Sequence, residues 1–136
     1  MGIRACVAAP NWRFIAALNG FVAVAFAAYA AHGLAGHAQA QYLVRLASQF
    51  QLFHALALLF TDRMVMEKRR FAKSAAWLFT LGMVLFSGSL YVMGIAGAPA
   101  QPLVTPAGGT SLLLAWLALA AASLKRAAPA TDRKDA

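Results

Sequence analysis

Two polar side chains interrupt a run that is otherwise apolar. Between Tyr42 and Thr61, His54 lies twelve residues after Tyr42, and Gln51 precedes it by three residues and so shares its helical face. At a rise of ~1.5 Å per residue His54 is ~18 Å along the run, close to the middle of a membrane if the run crosses one. Chemically the pair suits a ligand site, a proton relay or contact with a quinone. The structural alternative is an interhelical hydrogen bond to a serine or a backbone carbonyl, worth ~0.6 and at most ~2 kcal/mol in a bilayer, and it is favoured. Ser87 and Ser89, in a later apolar run, are the expected partners. Gln51, His54, Ser87 and Ser89 therefore form the candidate intramembrane polar site.

Other polar groups support less. Arg45, Ser48 and Gln49 fall on roughly the opposite face from His54 and within two turns of the run's outer end, where an arginine can snorkel to water. His32, in Ala31-His32-Gly33-Leu34, ends the first apolar run, and His37 follows it. His32 and Arg45 are thus candidates for outer-face contact with an anion, a lipid headgroup or a partner. Haem bound by two histidines needs them at one depth on facing helices, and His32 and His54 differ by ten ångströms or more at a rise of ~1.5 Å per residue, so no cofactor is expected. No carboxylate lies inside an apolar run, which argues against a carboxylate proton relay and a carboxylate-bridged metal. Nucleophile–base pairs, phosphate-binding glycine loops and zinc spacings are absent, so the chain is not expected to be an enzyme. The single Cys6 excludes an intrachain disulfide. Pro106-Ala107-Gly108-Gly109-Thr110 offers backbone amides to an outward anion, but a structural helix start is the favoured reading.

The elements that must position these groups follow from composition. Of 136 residues, 62% are hydrophobic and 12% charged, too few polar groups to cover a soluble domain of this size. Four runs are long enough to cross a ~30 Å hydrocarbon core: about 12–31, 42–61, 74–96 and 106–124. Asn11 is placed to cap the first, and Gly33 to end it in the left-handed conformation. Thr105-Pro106 reads as N-cap and first residue of the fourth. Arg4, Arg13 and Ala28-Tyr29-Ala30 also fit a cleaved signal peptide, but Ala-x-Ala arises easily in so alanine-rich a segment, and an uncleaved first span is preferred.

The net charge of +8, from 12 Lys and Arg against 4 Asp and Glu, sets topology rather than a nucleic-acid partner. With four crossings, eleven of the twelve basic residues, all but Arg45, fall on one side. The expected fold is an all-α integral membrane bundle of four transmembrane helices, N-in and C-in, spanning 1–126, with a disordered tail at 127–136. Trp12, Tyr29, Tyr42, Trp77 and Tyr91 fall near span ends and are expected at the headgroups, whereas Trp116 is expected to pack. Ala16 and Gly20, then Ala23, Ala27 and Ala31, and Gly82 with Ser87, Gly88 and Ser89, offer close helix contact. A shared nine-residue offset, Gly20 to Tyr29 and Gly82 to Tyr91, hints at repeated hairpins.

Successive motifs carry a resemblance: Leu18-Asn19-Gly20, Ala31-His32-Gly33-Leu34, the run Gln51 to Leu59, Leu85-Phe86-Ser87-Gly88-Ser89-Leu90-Tyr91, and Thr105-Pro106-Ala107-Gly108-Gly109. In this order, from about Trp12 to Leu124, they resemble the "domain of unknown function 423" family of small bacterial inner-membrane proteins, similar to eukaryotic transmembrane protein 256. The outer connections, around His37 to Tyr42 and Gly97 to Leu103, look shorter than that family's. The resemblance implies four helices with an uncleaved N-terminus and no established reaction. The expected role is that of a non-enzymatic structural or accessory component of a membrane assembly, its partners being the lipid bilayer, itself or a larger membrane complex. The alternative is a binder or transporter of a small apolar or neutral molecule around His54.

Overall fold

The computed structural model describes residues 10–124, so Arg4, Cys6 and the 127–136 tail lie outside the described residues. Four helices follow in order: α1 Trp12–His32, α2 Ala38–Met66, α3 Ala72–Ala96 and α4 Val104–Ser123. All four are long and apolar enough to cross a membrane. Three match the expected runs to within two residues at each end. α2 is longer, beginning four residues before Tyr42 and ending five after Thr61. Hydropathy ends where polar residues begin, but a helix ends only where its hydrogen-bond ladder does, and an Arg63–Glu67 pair one turn apart accompanies the extension. Within α2, Arg45 and Arg63 are eighteen positions apart, a rise of ~27 Å that matches the hydrocarbon thickness. His54 lies midway between them.

The helix ends show why cap positions are harder to read than spans. Asn11 caps α1 as expected, its Oδ1 accepting from Phe14 N at 3.1 Å. Gly33 is right-handed, not left-handed, at φ −83°. The chain continues in turns and reverses at Gly36, φ +86°, where only glycine is free of steric cost. Thr105 and Pro106 are not N-cap and first residue either. α4 starts at Val104, which puts Pro106 third. A proline there costs little, because the first four amides of a helix have no intrahelical acceptor. Freed from capping, the Thr105 hydroxyl pairs with Ser89 Oγ at 2.7 Å and ties α4 to α3.

α1 packs chiefly on α2 and α4 chiefly on α3, with α2 and α3 joined between them. Ala16, Ala23 and Ala30 are the buried residues of α1 besides Trp12. Their seven-residue spacing keeps one shallow stripe of small residues along α1, where backbones can approach closely. Of the other small residues expected in that contact, Ala27 and Ala31 are exposed, and a side chain at Gly20 would meet nothing within 4 Å. The α3–α4 contact is closer. α3 widens into a π-turn at Met83–Ser87, and a Cβ on Gly108 would stand 2.8 Å from Phe86 Cα. Ser111 Oγ donates to Leu78 O across the same interface at 2.9 Å. The two hairpins are thus not equivalent: Gly82 is closed over by Leu112 where Gly20 is open, and Tyr91 is buried where Tyr29 is exposed.

One end of the bundle gathers the start of α1, the α2–α3 connection and the end of α4. Arg13 Nε donates to Asp62 Oδ2 at 2.5 Å, joining α1 to α2. Arg69 donates from Nε and Nη2 to the carbonyls of Ala122 and Ser123, at 3.0 and 3.1 Å. Those carbonyls end α4, where a cation also meets the negative end of the helix dipole. At this basic end Trp12, expected in the headgroup layer, is instead buried at 3% exposure, edge-on to the exposed Trp77 with ring centroids 5.0 Å apart.

Candidate functional site

The polar groups inside the spans fall into two clusters. The first is a one-way chain of hydrogen bonds across three helices. Asn19 Nδ2 donates to Ile15 O at 2.8 Å, Gln51 Nε2 donates to Asn19 Oδ1 at 2.9 Å, and the Tyr91 hydroxyl donates to Gln51 Oε1 at 2.7 Å. A carbonyl only accepts, so the Ile15 end sets the orientation of Asn19, which sets that of Gln51, which leaves Tyr91 as donor. The Tyr91 ring stacks on Phe26 of α1 with centroids 4.1 Å apart. Tyr91 is therefore a packed interior residue and not part of an interfacial belt. The reason is geometric: from a position near the C-terminal end of α3, the long ring reaches a buried acceptor.

Gln51 is the middle of three polar rungs between α1 and α2. Gln41 Nε2 donates to Ala30 O at 2.9 Å near the end opposite the basic one, and Arg13 meets Asp62 near the basic end. Along α2 these rungs, at Gln41, Gln51 and Asp62, are ten and eleven residues apart, about 15 Å each. Between apolar helices in lipid, sliding costs little, and three spaced hydrogen-bonded contacts set the register.

His54 makes up the second cluster, with no hydrogen bond to the first. Its Nδ1 lies 2.6 Å from Phe50 O one turn back, and because a carbonyl only accepts, Nδ1 carries the proton. The ring sits among Phe50, Phe79 and Trp116, at centroid distances of 5.8, 5.9 and 6.1 Å. Trp116 thus packs on His54 and Phe79 as expected, with its other face exposed. Ser87 and Ser89, the partners expected from the sequence, are engaged elsewhere. Ser89 Oγ bonds Phe86 O and Thr105 Oγ1. Ser87 Oγ is buried in the π-turn and has no hydrogen-bond partner among the described residues. The four candidates Gln51, His54, Ser87 and Ser89 are all buried but do not share one hydrogen-bonded site.

At the end of the bundle opposite the basic one, His32 and Arg45 are both exposed. Ser48 is not on that face: it is buried, and its hydroxyl bonds Arg45 O at 2.8 Å. Gln41 marks the level of Ala30, and His54 is thirteen residues further along α2, so His32 and His54 differ in depth by about 20 Å. Among the described residues no three His, Cys, Asp or Glu side chains gather as a metal site. Asn19 and Tyr91 are the members of the hydrogen-bonded chain that sequence reading missed as site residues. A signal for Asn19 was present, since it is an amide in an apolar span; for Tyr91 there was none, because position alone favoured the interface.

Four serially packed spanning helices, pinned by an internal amide–phenol chain, define a small multi-pass helical membrane protein. The chain belongs to the family described as "Protein of unknown function (DUF423)", which matches residues 26–109. It is 35% identical over 113 residues to a UPF0382 membrane protein of Haemophilus influenzae, covering 82% of this chain and 91% of that relative. Similar are the UPF0382 membrane protein YwdK of Bacillus subtilis, 34% identical over 82% of this chain and 94% of its own, and the UPF0382 inner membrane protein YgdD of Escherichia coli K12, 36% identical over 82% and 88%. No solved structure matches.

Proposed function

We propose that this protein is a non-enzymatic structural or accessory component of a membrane assembly, held in a bacterial inner membrane with both termini in the cytoplasm. The supporting observation is that both ends of the Gln51 amide, the central polar group of the first cluster, are bonded to other helices of the same chain. Polar groups engaged in holding helices together are not left for a substrate. α1 in turn is held chiefly by one neighbour and turns Phe14, Leu18, Phe21 and Val24 outward. The alternative, a carrier of a small neutral molecule around His54, has less to stand on: Nδ1 already donates to Phe50, and three aromatic rings surround the imidazole. Two open grooves of about 400 and 420 Å³ lie at the basic end, and neither is lined by Gln51 or His54.

The test is the mass of the native particle. Extracted into lipid nanodiscs without harsh detergent, the protein is expected in a particle of more than one 14.4 kDa chain, or with other subunits, by native mass spectrometry. A lone monomer throughout would remove the accessory reading. The orientation is supported by Arg63, Lys68, Arg69, Arg70 and Lys73, which all lie in or beside one connection at the basic end. A C-terminal alkaline phosphatase fusion should be inactive and a green fluorescent protein fusion fluorescent; the reverse pattern would invert the topology.

A further inference from the structure

The groove of about 400 Å³ at the basic end lies against the α2–α3 connection and the first turn of α3, lined by Val65, Lys68, Arg69, Phe71, Lys73 and Ser74. Its charge is unbalanced. Among the described residues the carboxylates at this end are already paired, Asp62 with Arg13 and Glu67 with Arg63. Lys68, Arg69, Arg70 and Lys73 have no carboxylate partner there. Two of these cations have other neighbours: Arg69 donates to the end of α4, and the Arg70 guanidinium lies 4.7 Å above the Phe71 ring. Lys68 and Lys73 remain, on the two sides of a connection that turns back at Lys68 and Phe71, both left-handed at φ 54° and 66°.

Cations that converge on a concavity repel one another unless an anion lies between them. The surroundings add to the same field, because no side chain caps the first turn of α3 and its dipole directs positive charge toward the groove. We propose that this groove holds the phosphate group of an anionic phospholipid, gripped by Lys68 and Lys73 with Arg69 and the Ser74 hydroxyl beside them. Free phosphate offers the same oxygens, but Val65 and the half-exposed Phe71 give the groove apolar edges at the end of two spanning helices, where headgroups meet acyl chains. The inference is independent of the accessory role, since it is read in bound lipid and not in subunit number.

The experiment is native mass spectrometry of the full chain in mild detergent, titrated with phosphatidylglycerol, with phosphatidylcholine or with inorganic phosphate. Phosphatidylglycerol should be retained in preference to phosphatidylcholine. Lys68→Ala and Lys73→Ala should each weaken its binding about fivefold, as expected for one lysine at an anionic surface. Arg70→Ala removes the same charge from the same connection but lies outside the lining, so it should weaken binding clearly less than either lysine variant. Equal losses in all three variants would mean a diffuse surface field and no site. Equal retention of the two lipids would overturn the proposal, as would displacement of phosphatidylglycerol by millimolar inorganic phosphate, which would assign the groove to a free anion.

Discussion

Gly108→Ala is expected to lower the stability of the bundle by about 2 kcal/mol, and Gly108→Val by more, through separation of α4 from the π-turn of α3. The added Cβ would lie 2.8 Å from Phe86 Cα and 2.9 Å from the Leu85 carbonyl carbon, so what it meets is backbone. A flexible side chain could swing away; a helix backbone can only retreat as a unit, and retreat loosens the contacts around it. Alanine's better helix propensity returns up to ~1 kcal/mol, which is why the net loss is smaller than the clash alone. The neighbouring residue is the control. A Cβ on Gly109 would lie 3.8 Å from the Phe86 ring, ordinary contact, so Gly109→Ala should leave stability unchanged or slightly raised. Unfolding in mixed micelles of increasing sodium dodecyl sulfate, followed by tryptophan fluorescence, would compare the two. Equal midpoints for Gly108→Ala and wild type would mean that the two helices are not in contact at this point.

Gln51→Leu should cost about 2–3 kcal/mol, the largest effect of any single change in the hydrogen-bonded chain. It leaves two groups unpaired at once: the Asn19 Oδ1 that accepts from Gln51, and the Tyr91 hydroxyl that donates to it. Each bond alone is worth ~0.6 and at most ~1.7 kcal/mol in a bilayer, so the excess comes from stranding partners away from water. Tyr91→Phe removes a donor and strands only an amide oxygen, so about 1 kcal/mol is expected. In a double-mutant cycle the pair should cost less than the sum of the singles, and strict additivity would show that the two residues do not interact. Replacing Asn19, Gln51 and Tyr91 together by Leu, Leu and Phe should be milder than Gln51→Leu alone, because no unpaired group is left behind. If that triple variant folds, it also separates roles: a purely structural chain predicts that assembly into the native particle survives.

The contrast between His54 and Gln51 shows where sequence reading stopped. Both stood out as polar residues in a span, both are buried, and three-residue spacing suggested a joint site. A three-residue step turns a helix by about 300°, leaving the two side chains ~60° apart around its axis. That difference is enough for Gln51 to face α1 and the C-terminal half of α3 while His54 faces Phe79 and Trp116. The same limit explains the serines. Ser87 lies in a π-turn, where the extra residue shifts the phase of every side chain that follows it, so a face assigned by 3.6-residue spacing is wrong beyond that point. The misplaced cap at Thr105 is a smaller error of the same kind, since a hydroxyl has several possible partners and only the fold selects one.

Span number, the length of three of the four spans and the grouping of basic residues were legible in the sequence because each depends on a sum over about twenty residues. Transfer from water to lipid is nearly additive along a helix, and local errors average out. Which helix packs on which, where the π-turn falls, and that Asn19, Gln51 and Tyr91 form one chain were decided only by tertiary structure. These outcomes depend on contacts between residues forty and more positions apart, each worth about 1 kcal/mol or less, and so on a competition among near-equal alternatives that only the packed bundle resolves.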